Sequence, residues 1–425
     1  MASTDLETSR FMHHFRNTTL KAITVYFALL AVFFLLVVGT CAISTRSIED
    51  NLKSSVSLIS QEGDYPTHMV SLMMQDNFTD CVMLNIAAGA DADHPVESAM
   101  NNTLHIAGGD IITSTTDLLD GKPVDSRSYA RYWHGNQVVL RPLLCLTDYH
   151  GIRTINGILL SLLALLAIAL CYMKVSRALA LALTTGLVLT TCWIVPLNMQ
   201  FAACFYVMLI SVITLLLCPE RLHSKNAACV AFFVIGAVTQ YVDLLTTPLI
   251  TLGLPLIVWC MLHKPDRPGK MVILLAVMWG LGYATLWGSK WLLASLITGN
   301  DILGDALNSV RIRSVGGEMS ERGLTATGII KGYWTSFASL GLKGWGGLLV
   351  AIIAVAALYR RWGRPYRIIA SNLWLLLVAA MPLVWALVLT QHTYLHHFFT
   401  WRIVLVTIVA LMLFFSHTIT FRKRI

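Results

Sequence analysis

Runs of about 20 apolar residues recur along the whole 425-residue chain, and this recurrence constrains the fold more than any other feature. A helix needs a run of that length to cross the hydrocarbon core of a bilayer, about 30 Å thick. Hydrophobic residues make up 56% of the chain and charged residues only 13%, which leaves too little polar surface for a soluble domain. The sequence therefore predicts an all-α polytopic membrane protein. Its ten expected transmembrane helices lie at 22–42, 152–173, 178–196, 200–218, 226–242, 247–262, 270–293, 344–359, 369–390 and 401–418.

The first run follows an N-terminal segment, 1–21, that carries Arg10, Arg16 and Lys21. It is too long for a signal-peptide core of about 7 to 15 residues, and no A-x-A-like site follows it. Cys41 in VVGTC fits a lipoprotein cleavage box poorly, so the run reads as an uncleaved signal anchor. With the N-terminus in the cytoplasm, the inside connections are KVSR, PERLHSK, HKPDRPGK, YRRWGRPYR and the tail at 419–425. All are short and rich in Lys and Arg, the positive-inside pattern, which places both termini in the cytoplasm and the protein in the plasma membrane.

The polar block at 43–150 is then extracytoplasmic, as is a second loop at 298–343 between the seventh span and spans eight to ten (344–418). The block holds 14 of the 23 acidic residues and 6 of the 31 basic ones, so it carries about −8 and the rest of the chain about +16. That charge reflects contact with membrane lipids and is no argument for nucleic acid. Cys81 and Cys145, alone well inside the block, can form a disulfide in an oxidising compartment or stay free.

Within the block, Met69, Leu72, Met73, Val82 and Leu84 have the spacing of amphipathic helices along the membrane surface, broken near Asp76 to Thr79. Further on, Tyr129, Tyr132, Trp133 and His134 interleave with Arg131 and Arg141, as an interfacial belt or a sugar or phosphate site would. Signatures for nucleotide hydrolysis, dinucleotide binding, zinc proteolysis and serine hydrolysis are absent.

Topology gathers the remaining ionisable residues on one side: Asp243, Lys290, Arg311, Arg313, His392, His396, His397 and Arg402. Each is costly near hydrocarbon unless paired or facing water, which makes each a functional candidate. Each also has a plain reading. Asp243 can cap a broken helix before TTP, Lys290 can snorkel, the histidines can be interfacial, and Arg311 and Arg313 can be solvated charge. The HxxxHH spacing can bind metal but has no carboxylates beside it.

The layout resembles the GT-C fold of membrane glycosyltransferases: one span, a long outer segment with surface helices and Asp residues, then many spans and a second long outer loop. Locally the resemblance rests on EGDYPT (62–67), NFTDCVMLN (77–85), QYVDLL (240–245) and HTYLHHFFTWR (392–402). It implies transfer of a sugar from a polyprenyl-phosphate-linked donor to a cell-envelope glycan or lipid acceptor on the extracytoplasmic face. It also implies an Asp of the first outer loop as catalytic base, Asp80 or Asp64, with Arg311, Arg313, Arg141 and Arg402 available for the lipid phosphate. Substrate contacts are expected from Asp243, His392, His396, His397, Trp133 and His134. The chain has no adjacent acidic pair around Asp64 or Asp80, so the base and any divalent cation, Mg²⁺ or Mn²⁺, stay open. Asp80 is expected to project into a wet cleft and stay ionised, and Asp80, Asp243 and His396 to line one cavity. The competing readings are a multi-pass transporter or lipid-linked saccharide flippase, a surface scaffold, and an acyltransferase with a histidine base.

Overall fold

A computed structural model describes the backbone of residues 2–68, 73–313 and 366–418, and among them the chain is mostly helical. The expected span at 344–359, the loop beyond Arg313, Met69, Leu72 and the basic tail lie outside the described residues.

Helix α1 (Ala2–Cys41) leads into the polar block, which consists of α2 (Glu49–Glu62), α3 (Asn77–Ala88), α4 (Pro95–Asn101), α5 (Ile111–Leu119) and α6 (Gln137–Leu144). A two-residue ladder, β1 (Leu104–His105) against β2 (Ser126–Arg127), pairs antiparallel beside α5. The bundle follows: α7 (Tyr149–Lys174), α8 (Arg177–Leu189), α9 (Met199–Leu217), α10 (Lys225–Val242), α11 (Ile250–His263), α12 (Pro268–Thr298), α13 (Ile302–Arg313), α14 (Tyr366–Val388), α15 (Thr390–Leu395), α16 (His397–Thr400) and α17 (Val404–Thr418). Seven helices among the described residues are long and apolar enough to cross a membrane, and α8 and α11 are shorter apolar helices.

Two expected spans come out shorter, for local reasons. The run at 178–196 stops at Leu189, where the Thr190 hydroxyl donates to Gly186 O at 2.8 Å and Thr191 takes a left-handed φ of 54°. A 3-10 turn from Cys192 to Leu197, containing Pro196, completes it. The run at 247–262 begins at Ile250, because the Asp243 carboxylate holds the preceding residues as a loop, accepting from Thr246 N at 2.8 Å and Thr246 Oγ1 at 2.7 Å.

The block's acidity has a structural use. Asp76, Asp110 and Asp148 each cap a helix, accepting backbone N–H groups at the starts of α3, α5 and α7 that would otherwise lack partners. Helix α3 is no half-exposed surface helix: nine of its 12 residues are buried, because one face meets α5 and the other closes on the starts of α7 and α9. The other side of the block packs against α1, α10 and α12 through Trp133, Met100, Phe33 and Tyr241. Cys81 and Cys145 are both free, Cys81 buried and Cys145 exposed.

Candidate functional site

Asp80 projects inward from the first turn of α3 and is only 1% exposed. Asn198 Nδ2 donates to its carboxylate at 2.5 Å and Gln200 N at 3.4 Å, and the Tyr149 hydroxyl adds a third bond. Burial outweighs these bonds and pushes the Asp80 carboxyl up to about 7. Asp76, one turn earlier, accepts from Thr79 N, Thr79 Oγ1 and Gln200 Nε2, and burial raises it to about 6. The expected wet cleft around Asp80 is therefore not there, because the helix face that carries it is the face docked on the bundle. Asp64 is the exposed carboxylate, raised by partial burial and then by Asp110. Its backbone oxygen accepts from Asn77 N at 2.9 Å and Phe78 N at 3.2 Å, which fixes it over the start of α3.

The same junction carries one ion pair. Arg153, in the first turn of α7, donates to both Glu62 oxygens at 2.7 and 2.9 Å, to Asn77 Oδ1 at 2.9 Å and to Leu197 O at 2.8 Å. Burial alone would raise Glu62, but the bonds from Arg153 and Asn77 hold it below the usual carboxylate range.

A chain of hydrogen bonds leads from Asp80 to Asp243. Gln200, which donates to Asp80, accepts from Thr246 Oγ1 at 3.4 Å, and Thr246 donates to Asp243 Oδ1. Asp243 also accepts from Cys204 Sγ at 3.3 Å and from the Tyr283 hydroxyl at 3.3 Å. His392 bonds the same loop, its Nε2 lying 2.7 Å from Leu245 O. Hydrogen bonds thus connect Asp80 to Asp243, and His392 bonds the loop that Asp243 begins. His396 stands one turn on, with its ring centroid 4.7 Å from that of His392.

Burial, and then the charge of a neighbour, lower His392 to about 3 and His396 to about 4. At neutral pH they are neutral rings that offer hydrogen bonds and no positive charge. For His396 that neighbour is Arg313, which is half-buried and donates to the Tyr132 hydroxyl at 3.1 Å. Arg311 and His397 are exposed.

Arg402 is different. It is 0% exposed, its guanidinium lies 4.5 Å from the centroid of Phe201 and 5.5 Å from that of Trp401, and none of its three nitrogens has a hydrogen-bond partner among the described residues. The buried Trp401 Nε1, Thr393 Oγ1, His392 Nδ1 and Thr247 Oγ1 are unpartnered too. Phe201 links Arg402 to the histidines, since its ring is 6.0 Å from Phe399, which is 6.2 Å from His392. Tyr65, next to Asp64, meets Phe398 at 5.3 Å, so the block and this turn touch.

Other expected site residues are structural. Arg141 is buried, and its guanidinium is taken up by the carbonyls of Thr40 at 3.1 Å, Ala87 and Ile43, tying the end of α1 to the end of α3. Trp133 donates to Leu286 O at 2.8 Å inside the core that α1 shares with α12. His134 is buried with φ of 53°, bonds Tyr129 O at 3.3 Å and is lowered to about 3, by burial first and then by Lys290. Lys290 does not snorkel: its ammonium donates to Ala99 O at 2.8 Å and Met100 O at 2.9 Å, closing the end of α4.

A divalent cation does not fit here. Oxygens of Asp76 and Asp80 are already engaged by protein donors, and among the described residues no three His, Cys, Asp or Glu side chains form a ligand group. Asn198, Gln200, Tyr149, Arg153 and Tyr283 are the residues that sequence reasoning missed. For all but Tyr283, which lies midway along α12, the signal was polarity at or near the starts of otherwise apolar runs. No protein family, no curated protein and no solved structure matches this chain.

Proposed function

We propose that the chain is a membrane glycosyltransferase of GT-C-like layout, with ten spans and both termini in the cytoplasm of a plasma-membrane protein. It moves a sugar from a polyprenyl-phosphate-linked donor to a cell-envelope acceptor on the face that carries the polar block. One observation carries the reading: Arg402 is a fully buried guanidinium with no hydrogen-bond partner among the described residues, lying over Phe201, the residue after Gln200. An unpaired buried cation costs several kcal/mol, and a planar guanidinium is the side chain best matched to phosphate oxygens.

In this reading the donor phosphate meets Arg402, and the neutral His392 and Trp401 Nε1 complete its hydrogen bonds. The acceptor hydroxyl gives its proton to Asp64 as its oxygen bonds the anomeric carbon. The bond from that carbon to the phosphate oxygen breaks, and the electron pair leaves with the lipid phosphate. Asp64 is preferred to Asp80 because it is exposed. Asp80, bonded to Asn198 and Gln200, positions the floor beneath it. No step is assigned to a metal.

The test is binding of polyprenyl phosphate to the whole protein in detergent, with turnover assayed alongside. Arg402→Met should weaken binding at least ~10-fold, the scale of a lost charge-assisted contact. Asp64→Asn should keep binding and lower turnover ~100-fold. Unchanged binding in Arg402→Met would remove the basis of the proposal. A second reading, a transporter or lipid-linked saccharide flippase, is favoured by the sealed pair Asp76 and Asp80, whose pKa values of about 6 and about 7 suit proton coupling. It becomes the leading account if neither Asp64 nor Arg402 matters.

A further inference from the structure

At the other end of the bundle, two connections that are distant in sequence present a pair of imidazoles to one another. Helix α9 starts at the Asp80 junction and runs 19 residues, ~28 Å at ~1.5 Å per residue, before the chain turns at Pro219. His223 closes that turn, and His263 is the last residue of α11. Their Nδ1 atoms lie 3.1 Å apart and their ring centroids 5.1 Å apart.

Trp259 arranges both rings. Its indole Nε1 donates to Leu222 O at 2.9 Å, fixing the residue before His223, while its ring lies 5.0 Å from that of His263 on the next turn of α11.

We propose that His223 and His263 form a two-histidine clamp for a divalent transition-metal ion of the Zn²⁺, Cu²⁺ or Ni²⁺ class. Bonds of ~2.0–2.1 Å from each Nδ1 to one ion, with the nitrogens 3.1 Å apart, require an N–metal–N angle of ~100°, between the octahedral and tetrahedral values. Water completes the coordination. Mg²⁺ and Ca²⁺ need several oxygen ligands, whereas neutral imidazole binds the later transition metals through nitrogen. The clamp joins the α9–α10 connection to the α11–α12 connection and is independent of the sugar-transfer reading.

The experiment uses the full chain without a histidine tag, stripped with chelator and held in detergent. Zn²⁺ and Ni²⁺ binding is followed by calorimetry, and Cu²⁺ by the nitrogen hyperfine pattern of its electron paramagnetic resonance spectrum. The expected result is one ion per chain with two coordinated nitrogens, no response to Mg²⁺, and at least a tenfold loss of affinity in His223→Gln and in His263→Gln. His223 is exposed, so His223→Gln keeps the test valid if the His263 variant fails to fold. No binding, or binding that survives both substitutions, overturns the proposal and leaves the pair as one ring donating its N–H to the other.

Discussion

Arg153 grips Glu62 through both terminal nitrogens, at 2.7 and 2.9 Å, and so joins the first turn of α7 to the last turn of α2. The Arg153 side chain is 8% exposed and that of Glu62 29%. Removing the carboxylate therefore leaves a mostly buried guanidinium half-served. Glu62→Gln is expected to destabilise the protein by roughly 2–3 kcal/mol, below the ~3–5 kcal/mol of a fully buried pair because Glu62 still meets water. Thermal unfolding in detergent checks this, and a loss under ~0.5 kcal/mol would place the pair among ordinary surface contacts.

Stability should also depend on pH at this junction. Asp76 and Asp80 are raised to about 6 and about 7, in both cases chiefly by burial, so the fold favours their protonated forms. Their stabilising contribution is fully present below the unfolded carboxylate pKa of about 4 and is lost as pH rises through about 6 and then about 7. The unfolding midpoint should fall between about pH 4 and about pH 7, at no more than about 1.4 kcal/mol per unit for each group. Asp80→Asn should flatten the upper part of that fall. A profile parallel to that of the unaltered protein would assign the titration to another group.

Gly236 and Gly282 set the approach of α10 to α12. A Cβ on Gly236 would lie 2.0 Å from Trp279 O, and one on Gly282 2.0 Å from Phe233 O, so in each case the obstacle is backbone that cannot rotate away. Gly236→Ala or Gly282→Ala should cost on the order of 1–3 kcal/mol, an overpacking penalty, and should shift Trp279, whose indole donates to Thr251 Oγ1 at 3.1 Å. Tryptophan fluorescence follows that shift directly. Gly280 and Gly288 on the same helix have nothing within 4 Å of a Cβ, so alanine there should be neutral.

The long helices were legible because one property, an apolar run of bilayer length, determines them. The expected spans at 200–218 and 226–242 agree with Met199–Leu217 and Lys225–Val242 to within one residue at each end. Where a side chain in a run, or just before it, could bond nearby backbone, hydropathy misjudged the end. Thr190 and Asp243 did this, and neither changes the apolar average enough to register. At the candidate site, Asp243 was identifiable as a carboxylate near hydrocarbon, and Asp80 as the acidic residue that the layout's resemblance singled out. That Asp80 is sealed was not, because its burial depends on Asn198 and Gln200, whose partners are set by packing between segments more than a hundred residues apart. Arg141 and Trp133 looked like binding groups for the same reason: a sequence shows a donor but not the carbonyl waiting for it.

The bond from Asn198 to Asp80 spans 118 positions, and synthesis proceeds from one to the other in order. At ~5–20 residues per second, the ribosome adds Asn198 roughly 6 to 24 s after Asp80. Through that interval the docking face of α3, with Asp76 and Asp80 on it, has no α9 to close on. The polar segment is thus finished only after the helices that follow it have been delivered to the bilayer, and a gene fragment ending before residue 198 would encode a block lacking the surface that completes it.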